Sequence, residues 1–297
     1  MGEGDNLKIR RGQGYVLGGG IAGLYSSFRL GIPLISKPLN LPRKYGPRYL
    51  HKRKVIGRLL SELRFRYKIK KLPIRYYFRN TLYSHPTPQM VEEYYKKCYN
   101  HSPGRVQEKL YKSTLSIFTT KFEDLESKLK SKVTIIPEEI KNIDLRKKLI
   151  ITTEDTYNYD FLINTIPLPA FCSLTGIRYQ NFKYKNLWIY EAPSNEKDGI
   201  VHFMDYQDPR TRINYIQGIA FEERLIPLNG RMSYTFIKYG KIIDKPGTVS
   251  KVIKYLMSCD VYLIGRFAKW KAHYDFEDVI SDVEHLKIKL KDHFYLR

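Results

Sequence analysis

Hydrophobic and polar positions near the start of the chain change their spacing twice. Residues 15–17 form a short apolar run typical of a β-strand, and a cluster of glycines follows it. Beyond the glycines, Leu24, Phe28 and Leu30 fall roughly on one face of a helix. Residues 32–35 form a second apolar run. The pattern predicts a strand, a helix and a second strand parallel to the first.

The next part of the chain has mainly helical spacing. Helices are predicted at residues 87–98, 102–113 and 119–132. The first of them begins with two favourable residue types, because Thr87 suits the N-cap and Pro88 suits the first helical position.

Strand spacing replaces helical spacing after residue 131. Residues 132–137, 140–145 and 147–153 are short β-prone runs at regular intervals, which predict a β-meander. The apolar run 159–171 then predicts a strand that returns to the core.

The last third of the chain is mostly strand-like. Four segments have the alternation of a half-buried sheet: residues 187–192, 199–206, 212–220 and 231–239. Residues 261–280 repeat the opening order of strand, glycine turn and helix. Asp275 is the expected N-cap of that helix, with Asp278 completing a capping box.

The first glycine cluster has the spacing G-x-G-x-x-G at Gly18, Gly20 and Gly23. One glycine permits the tight turn, the next lets the backbone approach a pyrophosphate, and the third lets helix and strand pack closely. The pyrophosphate would lie on the helix N-terminus. The whole loop is therefore a candidate cofactor site, comprising Gly18, Gly19, Gly20, Ile21, Ala22 and Gly23. The alternative is a flexible glycine loop.

The end of the second strand departs from the usual dinucleotide fold. An Asp or Glu at this position normally binds the ribose hydroxyls, whereas this chain has Ser36 followed by Lys37. A serine hydroxyl forms the weaker hydrogen bond. Both residues are kept as candidate cofactor contacts.

The charge of the chain indicates the class of partner that it binds. The 297 residues include 52 Lys and Arg against 30 Asp and Glu, a formal net charge of +22. Between residues 41 and 80 the only acid is Glu62, and aromatic residues are interleaved with the basic ones. Such a segment favours nucleic acid as a partner. Its candidate contacts are Arg64, Arg66, Lys68, Lys70 and Lys71. The alternative is a solvated surface of a lysine-rich protein.

Composition bears on membrane insertion, secretion, disulfides and metal binding. No apolar window approaches the length of a membrane span, and the polar N-terminus is unlike a secretory signal. Three distant cysteines predict neither disulfides nor a zinc site, so we expect no metal and a cytoplasmic location, in the host cytoplasm if the protein is viral. The seven histidines are scattered, and the oligomeric state is left open.

Several motifs resemble those of flavoproteins. The order of the predicted elements resembles FAD-dependent amine oxidases and protoporphyrinogen oxidases. Three segments resemble UDP-galactopyranose mutase more closely: YGPRYLH at residues 45–51, FMDYQDPRTRINY at residues 203–215, and GRFAKWKAHYDFEDVI at residues 265–280. The resemblance spans residues 15–280 and implies a flavoenzyme with FAD as its cofactor.

The resemblance also implies roles for particular residues. Gly265, Arg266 and Trp270 would lie at the flavin. Arg212 and Arg210 would bind a substrate phosphate through their guanidinium groups. The remaining implied substrate contacts are Tyr206, Tyr215 and Trp270.

One segment departs from the mutase pattern where the chemistry takes place. Arg48 replaces the first histidine of the G-P-H-I-F-H motif, and His51 keeps the second. In the mutases reduced flavin N5 attacks the anomeric carbon of the sugar, and the replaced histidine lies against the flavin. Arg48 and His51 are therefore candidate catalytic residues, although the flavin itself would carry the reaction.

The predicted fold class is α/β, with a Rossmann-like FAD-binding domain, a helical insert and an antiparallel-sheet substrate domain. The FAD-binding domain comprises residues 1–40, 132–175 and 258–297. The basic, mainly helical insert comprises residues 41–131, and the substrate domain residues 176–257.

Three functions remain open at this stage. The first is an FAD-dependent enzyme acting on a modified base or nucleotide in DNA or RNA. The second is a mutase or oxidase of a free nucleotide sugar. The third is a non-catalytic flavoprotein that binds polyanions. Sequence alone does not distinguish oxidase, lyase and isomerase, because the flavin supplies the chemistry.

Overall fold

The computed structural model describes residues 14–38, 49–100, 111–179, 181–230, 233–243, 247 and 249–295, and side chains as far as residue 290. The chain divides into two compact units. Unit 1 comprises Met1–Pro42, Glu123–Phe182 and Asp244–Arg297, and unit 2 comprises Arg43–Phe122 and Lys183–Ile243. Each unit is therefore assembled from segments that are distant in sequence.

The described residues form both strands and helices. In chain order they are β1 (Tyr15–Leu17), α1 (Ile21–Leu30), β2 (Leu34–Ile35), β3 (Leu50–His51), α2 (Lys54–Glu62), β4 (Ile69–Phe78), β5 (Thr81–Tyr83), α3 (Pro88–Tyr99), β6 (Thr114–Phe118), α4 (Phe122–Lys130), β7 (Ile135–Ile136), β8 (Ile140–Asp144), β9 (Leu149–Thr152), β10 (Thr156–Asn158), β11 (Leu162–Asn164), α5 (Leu168–Thr175), β12 (Tyr184–Pro193), β13 (Gly199–Phe203), β14 (Arg210–Ile216), β15 (Ile219–Arg224), β16 (Tyr234–Ile242), α6 (Ser250–Ser258), β17 (Val261–Leu263) and α7 (Phe276–Tyr295).

Unit 1 is built on a parallel sheet with the order β17-β11-β1-β2-β7. β1 pairs in parallel with β2 on one side and with β11 on the other. All residues of β1, β2 and β11 are buried, as expected for strands covered on both faces. The predicted strand–helix–strand unit and the returning apolar strand are both confirmed.

The observed meander lacks the first predicted strand and contains β10 in its place. β8, β9 and β10 form an antiparallel sheet of three strands. β7, from the predicted run 132–137, instead pairs in parallel with β2. Its residues Ile135 and Ile136 lie opposite Leu34 and Ile35, so they extend the apolar parallel sheet of unit 1.

Unit 2 contains a large mixed sheet with the order β16-β12-β15-β14-β13-β4-β6-β3, and β5 pairs with β4 at one side. The strand pairs from β12 to β16 are antiparallel, as predicted for this part of the chain. β4 and β13 are parallel neighbours and join the two halves of the sheet.

The segment 41–131, expected to be mainly helical, contributes strands as well as helices. Along β4, Leu72, Ile74 and Tyr76 are buried, whereas the intervening Pro73 and Arg75 are exposed. This alternation suits a strand with one face on the core. The helix predicted at residues 102–113 falls largely on residues 101–110, which lie outside the described part of the chain.

The predicted helix starts are confirmed. The Thr87 hydroxyl accepts a hydrogen bond from the Met90 backbone N–H at 3.3 Å, and Pro88 begins α3. At α7, Asp275 accepts from the Glu277 N–H at 3.0 Å, and Asp278 accepts from the Asp275 N–H at 2.7 Å. α4 lies within the predicted segment 119–132.

Candidate functional site

The glycine turn after β1 gives each of its motif glycines a different environment. Gly18 has a positive φ of 99°, which favours glycine. A Cβ at Gly23 would lie 1.8 Å from the Gly18 carbonyl oxygen, so this glycine allows α1 to pack on the turn. A Cβ at Gly20 would meet no atom of the described residues within 4 Å. Gly20 therefore borders open space.

The open space lies at the N-terminus of α1. Gly20 is the N-cap residue, and α1 has neither a side-chain cap nor an acid in its first turn. The first N–H groups of a helix need partners and carry a partial positive charge. An uncapped helix N-terminus behind a glycine with free space in front of it fits a pyrophosphate.

Thr165 is a residue of this turn that the sequence did not single out. It follows β11, and its hydroxyl lies 2.7 Å from the Leu17 carbonyl oxygen and 3.0 Å from that of Gly18. The hydroxyl thereby connects the carboxyl ends of β1 and β11. Ligands of open α/β sheets bind where the strand order reverses, and this sheet reverses between these two strands. The only sequence signal was its position directly after an apolar strand.

Ser36 and Lys37 follow β2 at the same edge of the sheet. The Ser36 hydroxyl donates to the Lys37 carbonyl oxygen at 3.0 Å, so its lone pairs can still accept a hydrogen bond. Lys37 pairs with Glu139 at 2.6 Å. Hydrogen bonds from Lys141 and Lys37 lower the pKa of Glu139 to about 2. Lys37 therefore already has an acidic partner.

The late glycine turn lies beside the first one. Gly265 follows β17 with a φ of 98°, and a Cβ there would lie 3.1 Å from the Ala22 Cβ. Arg266 places its guanidinium 5.5 Å from the centre of the Phe267 ring. Trp270 is 1% exposed and packs edge-on against Phe182 at 5.0 Å. Trp270 thus has a core position in unit 1, not the accessible one that a ligand contact needs.

In unit 2 a row of polar side chains crosses one face of the large sheet. The pairing register puts Tyr76, His202, Arg212 and Glu223 on four successive strands. Arg212 donates to Glu223 through Nε at 3.1 Å, and Glu223 is 4% exposed. Burial by itself raises the pKa of Glu223, but the charge of Arg212 lowers it below its usual value. The pair is therefore ionised.

Two buried polar atoms beside Arg212 have no hydrogen-bond partner among the described residues. They are Nδ1 of His202 and Nδ2 of Asn214. The Asn214 amide oxygen accepts from the Tyr49 hydroxyl at 3.2 Å, so only its N–H₂ group is left over. Burial and the charge of Arg212 lower the pKa of His202 to about 3, which leaves the imidazole neutral at pH 7. Buried polar atoms without partners favour a polar ligand at this place.

Arg210 and Arg212 lie on opposite faces of the sheet. Arg212 stands opposite His202 in the register, whereas the guanidinium of Arg210 lies 4.0 Å from the centre of the Phe203 ring. Consecutive strand residues such as His202 and Phe203 point to opposite faces. A β-bulge between Arg210 and Arg212 accounts for the change. The two arginines cannot bind one phosphate together, contrary to the expectation.

The other predicted substrate and catalytic residues are dispersed over unit 2. Tyr206 is 57% exposed, and its N–H donates to Glu93 at 3.3 Å. Tyr215 is half-buried on β14, and His51 is half-buried on β3. Arg48 lies outside the described residues.

All five candidate nucleic-acid contacts are exposed: Arg64, Arg66, Lys68, Lys70 and Lys71. Lys70 pairs with Asp198 at 2.5 Å. The rings near them are less available, since Tyr76 is fully buried and Tyr67 packs edge-on against Phe118 at 4.8 Å. Tyr76 is therefore not accessible for stacking with bases.

Among the described residues, no helix combines the length and apolarity needed to cross a bilayer. Nor do three or more His, Cys, Asp or Glu side chains gather as metal ligands in that part of the chain. Cys98, Cys172 and Cys259 are free thiols.

The parallel sheet, the glycine turns at its carboxyl edge and the separate mixed sheet define a mixed α/β fold. The structure is similar to that of reduced UDP-galactopyranose mutase, with a TM-score of 0.70 and 13% identity over 92% of this chain and 95% of that one. This similarity confirms the fold that the sequence motifs implied.

Two further solved structures have the same fold. One is a protein from Exiguobacterium sp. 255-15 with a provisional assignment as a protoporphyrinogen oxidase, at TM-score 0.66 and 11% identity, covering 95% of this chain and 99% of that one. The other is a putrescine oxidase mutant, at TM-score 0.61 and 7% identity, covering 95% and 99%. No protein-family model and no curated protein sequence matches the chain.

Proposed function

We propose that the protein is an FAD-dependent enzyme whose unit 1 binds the cofactor. The observation that supports this most strongly is the open space in front of Gly20 at an uncapped helix N-terminus. The fold similarity to a mutase and to oxidases agrees with it. Bound FAD would supply electron transfer and, when reduced, a nucleophilic N5.

The residues of unit 1 would hold FAD by ordinary contacts. The N–H groups at the start of α1 would bind the pyrophosphate, with Thr165 bracing the turn. The Ser36 hydroxyl would accept a hydrogen bond from a ribose hydroxyl in place of the usual carboxylate. Because a serine is a weaker partner, we expect looser binding than in flavoproteins with an acid here.

For the substrate we propose a base or nucleotide within nucleic acid. The supporting observation is the exposure of Arg64, Arg66, Lys68 and Lys71, for which no acidic partner is found among the described residues. Exposed cations in succession can neutralise several phosphates, and one small ligand needs far fewer.

A free nucleotide sugar is the second candidate. It is favoured by the cluster of Arg212, Asn214 and His202, where one guanidinium and one unpaired amide lie on the same strand. These groups match a single phosphate. Arg212 would have to share its guanidinium between that phosphate and Glu223.

Salt dependence distinguishes the two substrates. Arg64, Arg66, Lys68 and Lys71 would be replaced by Gln in one variant, and Lys128, Lys147, Lys251 and Lys254 in a control with the same net charge. If nucleic acid binds the first group, the slope of log affinity against log salt decreases by about three in that variant and stays unchanged in the control.

Turnover completes this test. The proposal predicts a change in the flavin spectrum on mixing with modified nucleic acid. Equal slopes in both variants, together with turnover of a nucleotide sugar by the reduced protein, would favour the second candidate. Retention of flavin and polyanion binding without any turnover would leave a non-catalytic binding protein.

A further inference from the structure

The large sheet of unit 2 has a second face, on the side opposite Arg212. Phe203, Arg210 and Tyr77 mark this outer face, because the Arg210 guanidinium lies 4.0 Å from the Phe203 ring and 5.8 Å from the Tyr77 ring. Lys71 and Arg75 project from β4 on the same side, and both are exposed. The outer face therefore carries both rings and cations, and its cations Lys71 and Arg75 are accessible.

Rings and guanidinium groups follow one another across this face. In the strand register, Tyr77 lies opposite Phe203, Arg210 opposite Arg224, Arg224 opposite Trp188, and Trp188 opposite Phe236. Phe236 is 48% exposed and its ring lies 5.5 Å from that of Trp188. Five strand spacings separate β4 from β16, which gives a row about 24 Å long.

The row ends in a cavity of about 630 Å³. Its lining includes Tyr77 and three arginines, Arg79, Arg210 and Arg224. The polar groups Asn80, Asp205 and Gln207 also line it. A cavity of this size, with one ring and several hydrogen-bonding groups, can hold a nucleobase.

The arginines of the row differ in how firmly an acidic neighbour holds the guanidinium group. The Arg210 side chain forms three hydrogen bonds with Asp208, at 3.0, 3.1 and 2.7 Å, and Arg224 pairs with Glu222. Their planar groups are fixed and largely neutralised, so they can serve as stacking surfaces. The side chain of Arg79 is 65% exposed, and its contact with Glu93 is long, at 3.4 Å. Arg79, Arg75 and Lys71 can therefore contact phosphates.

We propose that this outer-face row, comprising Tyr77, Arg79, Arg210, Arg224, Trp188 and Phe236, binds single-stranded nucleic acid. One base would occupy the cavity beside Tyr77, and others would stack on Trp188 and Phe236. The inference rests on the proposed nucleic-acid substrate, since an enzyme that alters a base must act on an unpaired one. Alternating rings and cations suit a strand of bases and phosphates better than an apolar protein surface.

Tryptophan fluorescence tests the row directly. The chain has two tryptophans, and Trp270 is buried, so stacking on Trp188 should quench the accessible fluorescence. The probe is an oligothymidylate of about twelve nucleotides, long enough to span the row. Trp188→Ala should weaken its binding by about 5- to 150-fold. Trp188→Phe keeps a ring, so it should retain most of the affinity but lose the oligonucleotide-dependent quench.

Tyr255→Ala is the matched control, because Tyr255 is 46% exposed on α6 in unit 1. Equal affinities of the Trp188→Ala and Tyr255→Ala proteins would overturn the proposal. Preference for the matching duplex over the single strand would also overturn it. So would a change from dimer to monomer in Trp188→Ala by sedimentation, which would identify the row as a contact between chains.

Bound flavin is measured in the same preparations, which separates this proposal from the proposed enzyme function. Single-strand binding that depends on Trp188 in a protein unable to bind FAD would support the row and reject the flavoenzyme. If the protein contains flavin but does not bind the oligothymidylate, the proposed binding row is wrong and the proposed flavoenzyme function is unaffected.

Discussion

Gly20 and Gly23 belong to one motif but have opposite surroundings. The space beside Gly20 is open, whereas Gly23 lies against the backbone of Gly18. One position is therefore available to a ligand and the other is needed for packing. Arg212 also has a structural role, because its guanidinium is already hydrogen-bonded to Glu223 in an ionised pair. A ligand would have to share that guanidinium with Glu223.

The different surroundings of Gly20 and Gly23 predict different effects of substitution. Gly20→Val should abolish FAD binding, because its side chain fills the approach to the pyrophosphate, while the free energy of unfolding without FAD falls by about 1 kcal/mol or less. Gly23→Ala should lower that free energy by about 3 kcal/mol, since its Cβ overlaps backbone. Flavin absorbance after gel filtration and urea unfolding measure the two effects. Retention of flavin by Gly20→Val would contradict the site.

Arg212→Ala should destabilise the fold, because it leaves the buried carboxylate of Glu223 without its main partner. We expect a loss of about 3 kcal/mol in urea unfolding, at the lower end for a buried pair because Arg212 is partly exposed. Adding Glu223→Gln should recover much of that loss. Arg210→Ala is the control and should cost about 1 kcal/mol, since its pair with Asp208 is more exposed. Equal losses for both arginines would reject this assignment.

At the scale of elements, the sequence predicted what depends on local spacing. The strand–helix–strand unit, α4 and the starts of α3 and α7 follow from periodicity and capping residues. Features that depend on the pairing of distant strands were not predictable from the sequence. The place of β7 in the parallel sheet and the bulge that separates Arg210 from Arg212 arise from register between distant strands. The glycine turn was predictable, but the bracing by Thr165 was not.

Lys97 connects three elements of unit 2. It lies on α3, is 3% exposed, and donates from Nζ to the carbonyl oxygens of Phe203 at 2.5 Å and Arg210 at 2.9 Å. Burial lowers its pKa to about 8. The lysine thereby connects α3 to the end of β13 and the start of β14.

The lowered pKa predicts a pH dependence of stability. Lysine in the unfolded chain titrates near pH 10.4, so between about pH 8 and pH 10 the unfolded state binds more protons than the folded state. The contribution of Lys97 to the free energy of unfolding should therefore rise with pH in this window, by up to about 1.4 kcal/mol per unit. Urea unfolding at several pH values should show this rise in the wild type relative to Lys97→Met. Parallel profiles would contradict it.

At the scale of the whole molecule, the chain combines a dinucleotide-type fold with a formal net charge of +22. Such a charge exceeds what the binding of one cofactor requires. Net charge acts on partners and association rates more than on fold. The fold and the charge thus support separate parts of the proposal, the cofactor and the nucleic-acid partner.

Cofactor binding is the central claim, and equilibrium dialysis of the purified protein against FAD tests it most directly. The glycine turn of unit 1 predicts about one FAD per chain, a yellow protein, and no displacement by excess NAD. A colourless protein that ignores FAD and binds NAD would contradict the claim.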